Sequence, residues 1–521
     1  MKNIIYFEEL EEEQFGSVQV LNIDEYKLIE QEKYVNISSK LKLCTSLKEI
    51  YLRFENLELS VEGFEFILQA LQNLQNLTTF KIQFINFKLS DKIFLQLGLY
   101  LNTYSKLEKI QLDVTLCKVS SYAYLNLVKQ FVNIPNLFKL KLEFIDNDCN
   151  DQLQNLMEEI KFQKLKKIKI FQSKLNEENS NFCINLSECK DLRQVFINLQ
   201  DSLVNDKQLI CYSQKLSKLN QIVDLKLNLE NNQIQNNGII KLTDSISQLN
   251  SIEILYLKLR NNQISKEGLQ YFFLKLKQNQ YLENLTFLLS KNRVEGDISQ
   301  VFEYLSEFQS LKKLELVLDE NKIEFNQELS INTVNFCKQL SELNLSLNKC
   351  SLSQKSLNNI INGLTEFQSI RNLTLQLQYN YIGTSYAQAF KEQLCRFNQL
   401  NKLQFNLDDN IGCKECVLSI ASILTQFSCL KYLNLGLSNC HLGNDQVQEL
   451  IENLSKLPSL VGLQIDLQHN QVNYDHLINI SNKIRKFRKL QSIKMPIQFK
   501  QNLKLIRAQL LKCLRLCSLQ I

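Results

Sequence analysis

The sequence predicts an α/β repeat protein with one short strand and one helix in each of about sixteen units, and three observations predict it. An apolar pattern, L-x-x-L-x-L-x-L-x-x-N-x-I with L any large apolar residue, recurs along most of the chain. A stretch of helical spacing follows each copy. Punctuation is nearly absent, with 12 Gly and 3 Pro in 521 residues, too few to mark linkers between several domains.

The repeat is plainest in three successive copies: Ile222 to Ile234 (IVDLKLNLENNQI), Ile252 to Ile264 (IEILYLKLRNNQI) and Leu282 to Val294 (LENLTFLLSKNRV). Copies start at residues 47, 77, 107, 137, 165, 192, 222, 252, 282, 311, 340, 370, 400, 430, 460 and 490. Eleven of the fifteen intervals are 30 residues, and the others are 27 to 29. Apolar residues at positions 4, 6 and 8 alternate, so each unit opens with a strand that buries one face. An Asn at position 11 ends it: Asn147, Asn232, Asn262, Asn292, Asn321, Asn380, Asn410 and Asn470. An amide there can satisfy the backbone groups of the turn. Cys117, Cys350 and Cys440 stand in the same column, where a small thiol can substitute. The column is expected to fail at Leu57, Phe87, Leu175, Ser202 and Lys500.

The second half of each unit is helical. Phe64, Ile67, Leu68, Leu71 and Leu74 fall at i, i+3, i+4, i+7 and i+10. Gly238 and Gly268 recur at the start of equivalent helices. A lone strand and helix cannot bury their apolar faces, whereas stacked units can.

These motifs resemble the leucine-rich repeat family, in its long-repeat, ribonuclease-inhibitor-like class, over about residues 47 to 500. The resemblance implies a horseshoe solenoid with a parallel concave sheet and outer helices, flanked by an acidic N-terminal cap (1–46) and a basic C-terminal capping helix (501–521). The usual signature of that family is two residues shorter, so a longer strand and a wider sheet are expected here.

Composition narrows the function. Hydrophobic residues make up 44% and charged residues 22%, enough for a large core. No segment has the roughly 18 uninterrupted apolar residues of a membrane span, nor a signal-peptide core, so a cytoplasmic location is expected. Fifteen cysteines are read as reduced thiols. The pair Cys413 and Cys416, spaced CxxC, lacks a matching second pair and is read as structural rather than as a zinc or redox site. His441, His469 and His476 are the only histidines. No phosphate loop and no acid–base pairing is legible, so no enzyme, no cofactor and no metal is expected.

What remains is recognition. Positions 5 and 7 of each strand point away from the core. In the first half they include Tyr51, Arg53, Lys141, Lys169, Phe171, Phe196, Lys226, Tyr256 and Lys258, with Arg260 at position 9. After the unit at 311 they are nearly all Asn, Gln, Ser or Thr. Aromatic and cationic side chains are the types enriched at binding hot spots. The expectation is a non-catalytic protein-binding scaffold or adaptor, or a subunit of a larger assembly, that uses its concave face and whose partners are proteins with acidic and apolar surface. The alternative is nucleic acid or another anionic surface, met by eleven basic residues between Lys483 and Ile521, a span with no acid. With a whole-chain charge of +5, that block leaves residues 1–482 at −6.

Overall fold

A computed structural model describes the chain except for residues 1–4, 7–11, 26–30, 56–60, 87–89, 118, 146–161, 174–185, 187, 328–337, 366, 384–385, 388–396, 398, 411, 413, 474–475, 477–479, 481–482, 485, 497–517 and 521. The chain forms two compact units, Met1–Leu257 and Lys258–Ile521.

In the first unit, successive repeats lay down parallel strands at Glu49–Glu55, Thr79–Ile85, Lys109–Thr115, Lys139–Ile145, Lys167–Ser173, Gln194–Asn198 and Asp224–Asn228. The ladder starts ahead of residue 47, because Ile5–Tyr6 pairs with Val20–Glu25, and that strand pairs with Glu49–Glu55. Equivalent positions face one another across every pairing, as in Leu52, Ile82, Leu112 and Leu142. A spacing of 30 residues therefore becomes one strand step of about 4.8 Å. Alternation does the rest. Leu52, Ile82, Leu112 and Leu142 are sealed, while the neighbours of Leu52 and Leu142 are only half-buried.

Helices Val61–Leu71, Asp91–Leu101, Ser121–Phe131, Asp206–Leu216 and Asn236–Ser247 close the buried side. Position 8 meets them directly: Phe54 lies 5.8 Å from Phe64, Phe84 lies 6.0 Å from Phe94, and Tyr124 lies 4.3 Å from Phe144. Gly238 is fixed by close approach, since a Cβ there would run into the carboxylate of Asp206 on the preceding helix.

In the second unit, parallel strands follow at Asn284–Leu288, Lys313–Val317, Glu342–Ser346, Asn372–Gln376, Lys402–Asn406, Tyr432–Gly436, Gly462–Asp466 and Ser492–Lys494. Their helices include Lys266–Leu276, Gln354–Thr365, Lys414–Leu424 and Asn444–Leu454. Of the segment read as a C-terminal capping helix, Ser518–Gln520 is a strand paired with Ser492–Lys494. Its residues 501–517 lie outside the described residues.

The Asn column works as a ladder. The Asn410 Nδ2 donates to the carbonyls of Leu377, Leu407 and Asp408, at 2.9, 2.9 and 3.4 Å. Its Oδ1 accepts the N–H groups of Asn380 and Ile382, at 2.9 and 3.0 Å. Asn292, Asn321, Asn380 and Asn470 donate in the same way to their own repeat and the one before. The residue just before the column takes a left-handed conformation in repeat after repeat, as at Asn231, Asn261, Lys291, Tyr379 and Asp409. His469 holds that place in its own repeat, and His441 adopts the same conformation two residues later in its turn.

Two expectations need correction. Ser202 does not break the column, because its Oγ donates to the carbonyls of Gln172 and Gln200 as an Asn amide would. Nor is every strand long. Strands run seven residues from Glu49–Glu55 to Lys167–Ser173, five in the repeats from 192 to 460, and three at Ser492–Lys494. At Asn292, Asn321, Asn380, Asn410 and Asn470 the amide takes the position-8 carbonyls that a longer strand would use. Asn147, Leu57, Phe87, Leu175 and Lys500 lie outside the described residues.

The cysteines of the column do half the work. Cys440 Sγ donates to Leu407 O and Ser438 O, at 3.2 and 3.5 Å. Sulfur is a poor acceptor, so the Oδ1 side of the ladder is missing there. Cys440→Asn should stabilise the protein by about 1 kcal/mol, because Oδ1 would accept the Asn410 N–H. A denaturant melt with an unchanged or lower midpoint would reject that account.

Candidate functional site

On the solvent-facing side of the first unit's sheet, strand register arranges three rows of side chains. Position 5 gives Tyr51, Lys81, Gln111, Lys141, Lys169, Phe196 and Lys226 in order. Position 7 gives Arg53, Gln83, Asp113, Glu143, Phe171 and Asn198. Position 3 adds Lys109, Lys139 and Lys167, which also face solvent.

The aromatic centre is a pair. Phe171 and Phe196 meet edge to face at 4.9 Å, both half-buried. The Lys141 ammonium lies 5.2 Å from the Phe171 ring centre and Lys169 lies 5.8 Å from that of Phe196. Lys141 also pairs with Glu143 at 2.7 Å, and Lys226 with Asp224 at 3.3 Å. The cations crowd one another. Burial first, then the charges of Lys167, Lys109, Lys169 and Lys81, hold the Lys139 pKa below the ordinary lysine value. Burial, Lys167, Lys141 and Lys226 do the same to Lys169.

Tyr51 and Arg53 are less available than their sequence positions imply. The Tyr51 hydroxyl donates to Gln83 at 2.6 Å, and Gln83 donates to Asp113 at 2.7 Å. Arg53 pairs with Glu55 at 2.6 Å and with Asp24 at 3.8 Å. Tyr256 is half-buried in the first unit, whereas Lys258 and Arg260 belong to the second. The patch therefore centres on Lys141, Lys169, Phe171 and Phe196, with Lys226 beside Phe196.

Sequence reasoning passed over two features. The lysines at position 3 continue the alternation already used for positions 5 and 7, so that signal was present. The second feature is a carboxyl pair on adjacent strands, Asp113 and Glu143. Asp113 is 6% exposed. Burial, together with the hydrogen bond and charge of Glu143, pushes its carboxyl up to about 6 against the opposing donors Thr115 and Gln83. A carboxyl more acidic in the unfolded chain than in the fold destabilises as it ionises, so stability falls as pH rises from about 4 through 6. Asp113→Asn should thus stabilise the protein by about 1–2 kcal/mol at pH 8 and leave it almost unchanged at pH 4. Equal effects at both pH values in chemical melts would refute the coupling.

In the second unit the same face carries a hollow of about 430 Å³. Positions 3 and 5 of four successive strands line it: Lys402 and Gln404, Tyr432 and Asn434, Gly462 and Gln464, Ser492 and Lys494. Gly462 is what opens it, because a Cβ there would come within 2.8 Å of the Tyr432 ring. Tyr432 itself is 51% exposed. This half of the sheet reads as bland polar surface when positions 5 and 7 are taken alone.

Other chemistry finds little support. Among the described residues no three His, Cys, Asp or Glu side chains are grouped to hold a metal ion, and no helix is long and apolar enough to cross a membrane. Cys413 lies outside the described residues, while Cys416 is buried and its Sγ donates to Gly383 O at 2.9 Å. Burial pushes the thiols of Cys44, Cys189 and Cys350 up to about 11, 12 and 12, so they are held as neutral donors.

No protein-family model and no curated protein matches the chain. Among solved structures it is similar to an internalin (inlF) of Listeria monocytogenes, with 16% identity, 88% of this chain and 89% of that one covered, and a TM-score of 0.35. It is also similar to the plant peptide hormone receptor RGFR1 in complex with RGF2, with 14% identity, 97% and 74% covered, and a TM-score of 0.39. The decisive observation is the chain's own geometry: one parallel strand per repeat of about 30 residues, closed by a buried amide that hydrogen-bonds its own repeat and the preceding one. The fold is that of a leucine-rich repeat protein. In leucine-rich repeat terms, each candidate surface lies on the solvent-facing side of its own unit's strands.

Proposed function

We propose that this leucine-rich repeat chain is a non-catalytic binding scaffold that holds an acidic, partly apolar protein surface on the open sheet face of its first unit. One observation carries the reading: a half-buried phenylalanine pair set among lysines that repel one another. The rings offer apolar contact at small entropy cost. The crowded ammonium groups gain most from a partner that brings carboxylates. Lys258 and Arg260 lie outside this surface as proposed, and an intracellular role as part of a larger assembly remains within the proposal.

Replacing Phe171 and Phe196 by Ala should weaken the main partner by about thirtyfold, since a buried aromatic anchor contributes about 2 kcal/mol. Pull-down from cell extract, with bound proteins quantified by mass spectrometry, makes the measurement. Nucleic acid as the true ligand would show itself differently. Its binding would fall steeply with salt and depend little on the rings.

A further inference from the structure

We infer that the hollow in the second unit, bounded by Tyr432, Asn434, Gly462 and Gln464, is a binding site for a short oligosaccharide. The inference is independent of the first-unit surface. Three amides, Gln404, Asn434 and Gln464, stand on adjacent strands in one row, half-buried. Among the described residues none of these side chains donates to or accepts from another group of the chain. Amides one turn further along are already engaged: the Asn406 Oδ1 accepts the Asp408 N–H at 2.8 Å, and Gln378 reaches Asp408 at 3.4 Å. The row is therefore a set of spare donors and acceptors around a tyrosine ring that Gly462 allows to lie across the sheet.

Each kind of ligand can be weighed against that chemistry. An apolar molecule would strand the amides without partners, each a buried polar group left unmet. A small anion would use only Lys402 and Lys494, at the two ends, and leave the middle idle. An extended peptide advances about 3.3 Å per residue, out of step with a row spaced at about 4.8 Å. Sugar hydroxyls both donate and accept, matching primary amides on both counts. A pyranose also has a C–H face that can lie on the Tyr432 ring. The volume suits a di- or trisaccharide, within the range of about 300–1,000 Å³ usual for small-ligand sites. The terminal lysines favour sugars that carry an acid group.

The test is binding of the full chain to a broad immobilised glycan panel covering neutral and acid-bearing di- and trisaccharides. At least one class should be retained, and acid-bearing members should bind more tightly than their neutral counterparts. Gly462→Leu, which fills the hollow, and the double variant Asn434→Ala with Gln464→Ala, which leaves the backbone untouched, should each weaken that binding by roughly tenfold or more. Lys141→Glu with Lys169→Glu should leave it intact, which separates this site from the first-unit surface. Retention of no sugar would overturn the inference, as would binding indifferent to the amide variant. Loss on Lys402→Ala with Lys494→Ala alone would reduce the site to a bare cation patch. Capture of extended peptides through the same amides, with no sugar held, would reassign it.

Discussion

Asn410→Ala is expected to lower the unfolding free energy by about 3–5 kcal/mol, more than most single substitutions. The side chain is fully buried and makes five hydrogen bonds, three as donor and two as acceptor. Alanine leaves the N–H groups of Asn380 and Ile382 and the carbonyls of Leu377, Leu407 and Asp408 to find new partners away from water. Each orphaned group costs about 1–3 kcal/mol, and some relax or share, so the sum falls short of the full total. Asn410→Ser supplies a graded control. Ser202 shows that a hydroxyl keeps the donor half, so the serine variant should lose about half as much. Urea melts of the three proteins decide the matter; an alanine variant within 1 kcal/mol of wild type would mean that the ladder contributes little.

The second large effect is electrostatic. Reversing Lys139, Lys141 and Lys169 to Glu together should reduce affinity for the main partner by about a hundredfold or more, near 2.7 kcal/mol. The fold should tolerate it. Lys139 and Lys169 are already disfavoured as cations by burial and by neighbouring lysines, so reversing those two relieves repulsion, whereas Lys141→Glu gives up the ion pair with Glu143, and the thermal midpoint should fall only slightly. A single reversal at Lys226, which is already paired with Asp224, should cost far less. Equal retention of partners by the wild-type and triple-variant proteins would move recognition elsewhere, the basic residues after Lys483 being the first place to look.

Much of this architecture was legible because it is periodic. Leu225, Leu227 and Leu229 announce a strand and Asn232 announces its end, and both stand where the pattern puts them. The site was less legible, for a physical reason. Asp113 and Glu143 are 30 residues apart and look unrelated until strand register sets them side by side. Only then does burial beside Glu143 hold the Asp113 carboxyl above the ordinary range. Tyr51 and Arg53 hold solvent-facing positions, but Gln83 and Asp24 on adjacent strands and Glu55 on the same strand already engage their polar ends. Gly462 gives a signal even in the sequence, since glycine inside a strand usually marks close approach. What approaches it, Tyr432, is visible only in three dimensions.

The amide ladder also has a direction, and that bears on how the chain opens. Asn232, Asn292, Asn321, Asn380, Asn410 and Asn470 each accept from the repeat before, as Asn410 does from Asn380 and Asn470 does from Cys440 and Leu442. A repeat's turn is thus held by its successor, and loosening one repeat exposes the N–H groups of the one that precedes it. Amide exchange should therefore spread against chain direction, stepwise through neighbours, as in a one-dimensional array. It should be fastest just ahead of Cys350 and Cys440, where the successor brings a thiol in place of an acceptor. In such a protein a thiol works as a firebreak run in reverse, setting where the stack begins to come apart.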